Sequence, residues 1–226
     1  MKRVVMYQHW HHLLFLHWKA NQDEMRKWVP DELEIDTFDG DAYFGLVLFT
    51  MRGVRPRFVP PMPSLSAFHE FNARTYVKRG DKKGVWFFSL DAANSLAVGI
   101  ARKHYFLPYF HAEMSLEPTP YGVTYQSKRC CDGASIEASA EVSGDVWHAE
   151  PGTLDYFLVE RYRLFAKPEH GLVSLQVEHP PYPLRTVSNV RVKESLSTAA
   201  QVEVSGAPIV HYVDGVSVRI GPIERE

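Results

Sequence analysis

One stretch of the chain carries the side chains needed to bind and transform a small molecule. The segment 68–78, FHEFNARTYVK, alternates polar and apolar residues, so a strand places Glu70, Asn72, Arg74 and Tyr76 on one face. A carboxyl group can act as an acid, a base or an orienting group, and a guanidinium can hold a carboxylate by two hydrogen bonds. If the sheet closes into a barrel, this row lines the interior; in an open sheet it faces water.

A strand–helix–strand unit follows directly and is the element most able to position these groups. Residues 85–90 are β-branched, aromatic and apolar, which predicts a buried strand ending at Asp91. Asn94 or Ser95 can cap the next segment, whose apolar residues recur at helical spacing until Pro108 stops it. Tyr109 then begins a second strand. The unit can serve as scaffold or as the wall of a pocket.

Two further arginines are candidates for anion binding. Arg52 begins the segment 52–57, RGVRPR, which precedes Pro60 and Pro61 and predicts an irregular loop. Such a loop could close over an anionic ligand or simply be solvated. Arg102 lies near the end of the predicted helix. A carboxylate could therefore be held by Arg74, Arg102 or Arg52.

Several short motifs in order resemble a known family. They are FLHW at 15–18, RGVRP at 52–56, FSLD at 88–91, AR at 101–102 and LPY at 107–109. Together they resemble the YqjF-like (DUF2071) family, which is grouped with the acetoacetate decarboxylase-like fold. The resemblance implies an α+β, β-rich barrel with a few short helices, and a pocket glutamate on a strand at about the position of Glu70.

The decarboxylases themselves offer a fainter match that differs at the reactive position. Their pattern is a strand ending in Asp, a helix with Gly, and Pro followed by two lysines, the first of which forms a Schiff base. Asp91, Gly99 and Pro108 fit that pattern, but Tyr109 and Phe110 stand where the lysines would be. A Schiff base requires a primary amine, which neither side chain has.

Three functions therefore stay open. The first is a pocket for an organic acid or carbonyl compound, with Glu70 as acid, base or orienter and Tyr109 as hydroxyl donor. Such a pocket suits a lyase or isomerase that works without a Schiff base, with Asn72 and Tyr76 completing the binding face. The second is a non-catalytic binding or sensing protein. The third is a decarboxylase that uses a displaced lysine such as Lys103.

Composition excludes several other classes. The chain has 226 residues, a formal net charge of −2 and 45% hydrophobic residues, with no excess of basic groups for nucleic acid or an anionic membrane. No apolar run is long enough to span a bilayer, and no nucleotide or zinc motif predicts a cofactor or metal. We expect one cytoplasmic domain over residues 1–226, which could assemble into a homo-oligomer.

The remaining patterns predict mostly strands. Asp-Gly pairs predict hairpins at 38–41 and 213–216, residues 156–166 read as one strand, and 192–201 read as a short helix. The histidine-rich tract 9–17 reads as an edge strand with incidental metal affinity at most. Cys130 and Cys131 are adjacent, which disfavours a disulfide between them and predicts two reduced core or strand thiols.

Overall fold

The computed structural model describes residues 3–62 and 65–226, excluding the side chains of residues 96, 97, 100 and 101. The strands are β1 (Met6–Ala20), β2 (Glu34–Ile35), β3 (Ala42–Pro56), β4 (Phe68–Arg79), β5 (Lys82–Ala92), β6 (Tyr109–Thr119), β7 (Gly122–Arg129), β8 (Ser135–Trp147), β9 (Arg163–Ala166), β10 (Val173–Glu178), β11 (Leu184–Glu194) and β12 (Ile209–Arg225). The helices are α1 (Gln22–Arg26), α2 (Ser95–Tyr105), α3 (Leu154–Val159) and α4 (Leu196–Ala199). The β-rich α+β class is confirmed.

All these strands join one sheet that closes on itself. Strand β4 pairs with both β3 and β5, and from β5 the pairing continues through β9, β10, β12 and β1 back to β3. Most pairings are antiparallel, whereas β5 runs parallel to β6 and to β9. Closure leaves few unpaired strand edges and creates an enclosed, barrel-like interior.

Strand β4 is buried on both faces. Its odd positions, among them Phe71, Ala73 and Val77, pack in a core that also contains Tyr125 and Ile136. Its even positions face the interior of the seven-strand ring, where Tyr76 joins a second core. Because every residue from 70 to 77 is buried, neither face is left for solvent. The polar row of the sequence therefore points into the protein rather than outward.

The predicted strand–helix–strand unit is present. Strand β5 extends to Ala92, α2 begins at Ser95, and Leu107 and Pro108 separate the helix from β6. The two strands lie side by side in parallel, with Leu90 opposite Tyr109 and Asp91 opposite Phe110. This register brings Tyr109 next to the end of β5, close to the polar row of β4.

The predicted hairpin at 213–216 is wrong, and at 38–41 only the turn is confirmed, because the pairing across it is limited to Phe38 and Asp41 while β2 pairs with β4. Asp39 and Gly40 have φ values of 52° and 87°, the left-handed backbone that a tight turn needs. Gly215 instead lies within the continuous strand β12, opposite His11 of β1. A Cβ at this glycine would lie 3.0 Å from the Trp10 carbonyl oxygen. Here glycine permits a close approach between strands rather than a turn.

Three other sequence interpretations are also wrong. Strand β3 continues through 52–56, where Gly53 has φ of 61° beside an irregularity in the β1–β3 register, so a bulge carries the strand to Pro56. The histidine tract is no edge strand, because β1 pairs with both β3 and β12. Residues 156–166 divide between α3 and β9.

Cys130 and Cys131 are free, but both are exposed and follow the end of β7, so the interpretation as core or strand thiols is wrong. The late helix is present but is limited to α4. In the described part of the chain, no helix combines the length and the apolar character needed to cross a membrane.

Candidate functional site

A cavity of about 330 Å³ lies inside the seven-strand ring. Every strand of the ring contributes to its lining, and the even positions of β4 form one wall: Phe68, Glu70, Asn72 and Arg74 follow one another along it. Successive even positions are roughly 7 Å apart, so Glu70 and Arg74 are separated by roughly 13 Å of strand. The cavity thus has polar groups at two separate depths.

The neighbouring walls are apolar. Val47, Phe49 and Met51 of β3 and Phe87 and Leu90 of β5 flank the polar row. Pairing across the sheet explains this, since Phe49 is opposite Glu70, while Val47 and Leu90 are both opposite Asn72. A few polar groups in an apolar surround are typical of sites that bind small molecules.

Glu70 and Tyr109 form a hydrogen-bonded pair on the cavity wall. The Tyr109 hydroxyl donates to Glu70 Oε2 at 2.5 Å, and both residues are buried. Each comes from an element whose position is set by the strand–helix–strand unit, Glu70 opposite Ala92 of β5 and Tyr109 opposite Leu90. A neutral donor therefore serves as the partner of a buried carboxyl group.

Burial raises the pKa of Glu70 to about 7. Hydrogen bonds from Tyr109 and Asn72 act in the opposite direction, because they favour the ionised carboxylate, and Asp91 adds a smaller raising effect. Burial and the adjacent Glu70 raise the pKa of the Tyr109 hydroxyl well above its usual range. At neutral pH, Glu70 is able to gain or lose a proton while Tyr109 stays protonated.

Arg74 is a buried cation that no carboxylate balances within the described residues. Its Nη2 donates to the Leu158 carbonyl oxygen at 3.3 Å, it also interacts with the Tyr76 hydroxyl, and its buried Nε has no hydrogen-bond partner. Arg74 and Glu160 act in opposite directions on the pKa of Tyr182, but the described contacts include no ion pair between them, and the Glu160 carboxylate accepts from the Tyr182 backbone N–H and the Tyr162 hydroxyl. Because Arg74 also lines the cavity, its guanidinium is a candidate partner for an anionic ligand there.

The other two arginines that line the cavity are paired. Arg161 binds Asp36 at 2.7 Å and donates to the Phe157 carbonyl oxygen at 2.9 Å. Arg163 contacts Glu224 at 3.1 Å and also bonds to Ser174. Their charges are neutralised by the protein itself, which singles out Arg74 among the cations of the cavity.

Two of the predicted site residues lie elsewhere and a third has a structural contact. Arg52 is exposed on β3 and does not line the cavity. Arg102 lines a second cavity of about 590 Å³ together with Arg129, and its Nε donates to the Tyr109 carbonyl oxygen at 2.6 Å. Tyr76 is fully buried and donates its hydroxyl to the Leu158 carbonyl oxygen at 2.7 Å.

Lys103 is exposed on α2, outside the cavity. No lysine of residues 3–62 and 65–226 lines this cavity. The same part of the chain holds no cluster of three or more His, Cys, Asp or Glu side chains arranged to bind a metal ion.

Sequence reasoning missed the walls contributed by β3 and the segment after α3. The alternation of Val47, Phe49 and Met51 would have indicated the β3 wall once β3 was paired with β4. No local pattern marks Arg161, because its partner Asp36 is 125 residues distant in sequence. Such a contact is visible only in the folded chain.

A second buried ionic group lies on the opposite face of the same strands. Asp91 is completely buried, and Arg129 Nε donates to its Oδ1 at 2.7 Å. Arg129 also donates to the Ser89 hydroxyl, and its guanidinium lies 4.4 Å from the centre of the Phe110 ring. Burial raises the pKa of Asp91, and the adjacent guanidinium opposes that rise. This pair connects the end of β5 to the end of β7.

Comparison with known proteins gives a family match over most of the chain. Residues 7–217 match the family model DUF2071, described as an uncharacterized conserved protein. The chain is 35% identical to the uncharacterized protein YqjF of Bacillus subtilis (strain 168) over 226 residues, which covers 98% of this chain and 92% of YqjF.

Solved structures share the fold at low sequence identity. An acetoacetate decarboxylase structure aligns with a TM-score of 0.72 and 13% identity, covering 98% of this chain and 89% of that one. An acetoacetate decarboxylase-like enzyme from Sphingomonas wittichii RW1 aligns at 0.66 and 17%, covering 99% and 94%. The enduracididine biosynthesis enzyme MppR, solved with pyruvate, aligns at 0.68 and 12%, covering 99% and 91%.

Proposed function

This chain belongs to the DUF2071 family and has the acetoacetate decarboxylase-like fold, and from that premise we propose that its interior cavity binds a small organic acid or carbonyl compound. The observation that carries the proposal is Arg74. A buried guanidinium without a carboxylate partner is costly unless an anion joins it. Arg74 lines the cavity, so a ligand carboxylate bound there can pair with its guanidinium.

The chemistry that we propose is proton transfer next to a carbonyl group. With the carboxylate held at Arg74, a ligand whose carbonyl group lies several carbons from the carboxylate extends along β4 to Glu70 and Tyr109, because roughly 13 Å of strand separates Arg74 from Glu70. Ionised Glu70 can remove a proton from the carbon beside the carbonyl and return it, because its pKa of about 7 suits both steps near neutral pH. Tyr109 positions the carboxyl group through its hydrogen bond.

This reaction class needs no amine. Within the described residues, no lysine lines the cavity, and Tyr109 and Phe110 stand at the start of β6, where the decarboxylases have lysines. The proposal of a displaced Schiff-base lysine at Lys103 therefore has no support from the geometry, since that side chain is exposed on α2. An isomerase or lyase that works through an enolate fits the groups better.

Binding can be tested by calorimetric titration of wild type, Arg74→Met and Arg219→Met with pyruvate and acetoacetate. Pyruvate is a suitable probe because MppR has been solved with it. Arg219 is an exposed arginine beside the cavity-lining residue Ile220, so its replacement makes the same chemical change outside the cavity. We expect Arg74→Met alone to abolish binding. Equal affinity in all three proteins would overturn the proposal.

Catalysis can be separated from binding by hydrogen exchange. Proton removal would exchange the protons beside the ketone of bound 7-oxooctanoate, whose carbonyl group is far enough from its carboxylate to approach Glu70, with deuterium from D₂O, which proton NMR measures. We expect exchange with wild type and none above background with Glu70→Gln, although that variant still binds 7-oxooctanoate. Tight binding without exchange in wild type would instead indicate the non-catalytic binding protein that the sequence left open.

A further inference from the structure

Asn72 lies between the two ends of the proposed site. It stands two residues from Arg74 and two residues from Glu70 on the same face of β4, roughly 7 Å of strand from each. Only 5% of Asn72 is exposed, and the residue lines the cavity. A ligand that binds Arg74 and extends to Glu70 therefore passes the Asn72 side chain.

The amide group of Asn72 is hydrogen-bonded at one end only. Its hydrogen bond with Glu70 favours the ionised carboxylate, so the amide nitrogen is the donor. This contact fixes the orientation of the amide and leaves Oδ1 as its other end. Asn72 Oδ1 is buried and has no hydrogen-bond partner among the described residues. The middle of the polar row thus presents an unpaired acceptor.

The surroundings of Asn72 explain why this acceptor is unpaired. The residues opposite Asn72 are Val47 of β3 and Leu90 of β5, whose side chains have no donor. The backbone N–H groups of central strands are used by the pairing of the sheet. A buried acceptor without a donor is unfavourable, so a ligand that covers Oδ1 binds well only if it supplies one.

We infer that the ligand carries a hydrogen-bond donor, an N–H or hydroxyl group, between its carboxylate and its carbonyl group, and that this donor binds Asn72 Oδ1. The inference rests on the proposed function, because it takes Arg74 and Glu70 as the sites for the two ends of the ligand. It adds the substrate class, an oxo acid with a polar chain such as an acylated amino acid. An unsubstituted chain, as in 7-oxooctanoate, binds more weakly because it removes water from Oδ1 and returns no donor.

An amide and an ester of equal length test the inference. The amide 3-(4-oxopentanoylamino)propanoate has an N–H group in the middle of its chain, and the ester 3-(4-oxopentanoyloxy)propanoate has an oxygen atom there. We expect calorimetric titration of wild type to show about tenfold to a hundredfold tighter binding of the amide, because the ester oxygen cannot donate to Oδ1. Equal affinity, or tighter binding of the ester, would overturn the inference.

Two variants locate the contact. Asn72→Leu keeps a branched side chain but removes the acceptor, so the preference for the amide should disappear. Met51→Leu changes another residue that lines the cavity and should keep the preference. The pKa of Glu70 also changes in Asn72→Leu, but both ligands meet the same Glu70, so this change cancels in the ratio of their affinities. Circular dichroism checks that both variants fold. A preference that persists in Asn72→Leu would show that Oδ1 is not the acceptor.

The outcomes separate this inference from the proposed function. If the amide and the ester bind equally and Arg74→Met abolishes binding of both, the acid site stands and the inference of a donor is wrong. If the amide binds more tightly than the ester but Arg74→Met weakens neither, the acid site is wrong. If neither compound binds to wild type, both proposals are wrong. A preference for the amide that requires Asn72, with affinity that requires Arg74, supports both.

Discussion

Glu70 and Asp91 are buried carboxyl groups on adjacent strands, yet their surroundings differ completely. Asp91 lies opposite Phe71 on the face that packs in the core, and a buried arginine binds it at 2.7 Å. Glu70 lies on the cavity face, and its closest partner is the uncharged Tyr109 hydroxyl at 2.5 Å. Burial raises the pKa of both carboxyl groups, to about 6 for Asp91 and about 7 for Glu70, but only Asp91 has a bound cation that opposes the rise.

The arginines show the same contrast. Arg129 is neutralised by Asp91 and is bonded to Ser89, whereas Arg74 donates only to uncharged oxygen atoms among the described residues. Buried groups bound to an opposite charge stabilise the fold, and buried groups that lack a charged partner are candidates for binding a ligand. The difference separates the Asp91–Arg129 face of these strands, where Arg129 also lines the second cavity, from the candidate site.

The largest expected effect is on the paired face. Arg129→Met should lower the free energy of unfolding by about 3 to 5 kcal/mol, because it leaves Asp91 buried without its counter-charge. Urea denaturation followed by circular dichroism measures this change. Arg219→Met, at an exposed position, serves as the control and should change stability by less than about 0.5 kcal/mol. A small effect of Arg129→Met would remove the contrast between the two faces.

Glu70→Gln should have the next largest effect on the free energy of unfolding, and at pH 8 it should raise that free energy rather than lower it. The unfolded chain releases the Glu70 proton near pH 4.5, whereas the folded chain holds it to about pH 7. Between these two pH values the folded state keeps a proton that the unfolded state has lost. Wild-type stability therefore falls as the pH rises through this window and remains lower above pH 7. The variant lacks this loss and should be more stable at pH 8 by up to about 3 kcal/mol. At pH 4 the two proteins should differ little.

Thermal or urea unfolding of both proteins from pH 4 to pH 8 checks this expectation. The result that matters is the difference between the two curves, because other groups titrate equally in both. Parallel curves would mean that the pKa of Glu70 is not raised, and the assignment of Glu70 as an acid and base would lose its basis.

Tyr109→Phe should have a smaller effect that sharpens the comparison. The hydroxyl hydrogen bond favours the ionised form of Glu70, so its loss should raise the pKa of that carboxyl group further, above about 7. Loss of the hydrogen bond should also cost about 1 to 2 kcal/mol of stability at pH 8. Carbon NMR of labelled glutamate side chains would follow the titration directly. An unchanged midpoint would show that Tyr109 does not tune Glu70.

Arg74→Met should change stability least, by about 1 kcal/mol or less. Within the described part of the chain this buried charge has no carboxylate bound to it, so the variant breaks no ion pair. Denaturation without ligand measures this change in stability, which is then compared with the change caused by Arg129→Met. A loss as large as that of Arg129→Met would mean that Arg74 is a structural group like Arg129, and the anion site would have to be abandoned.

Prediction from sequence succeeded where the pattern was local. Strand β5, helix α2 and the break at Pro108 follow from apolar runs and a residue that cannot continue a helix. It failed at Asp214-Gly215, where the same dipeptide that makes the turn at 39–40 lies inside a long strand. Pairing with β1 overrides the local turn preference there, because it satisfies backbone groups on both sides of the glycine.

The residues of the candidate site likewise divide into those that a local pattern predicted and those that it did not. The alternation of segment 68–78 put Glu70, Asn72, Arg74 and Tyr76 on one face, and the resemblance indicated that Glu70 and Tyr109 matter. Neither the alternation nor the resemblance could show which of the arginines lines the cavity. Arg52 and Arg102 have the same charge as Arg74, but one is exposed and the other lines the second cavity. Their difference arises from strand register and ring closure, which link residues far apart in the chain.

The sequence by itself determined the β-rich class, the strand–helix–strand unit and the common face of the polar row, because the two-residue period of a strand and the fixed φ of proline act locally. Only the tertiary structure decided that this face points into a cavity, that Arg129 neutralises Asp91, and that Arg74 has no such partner among the described residues. Those properties depend on burial and on contacts between distant residues. Electrostatic balance inside a protein is a property of the closed sheet as a whole.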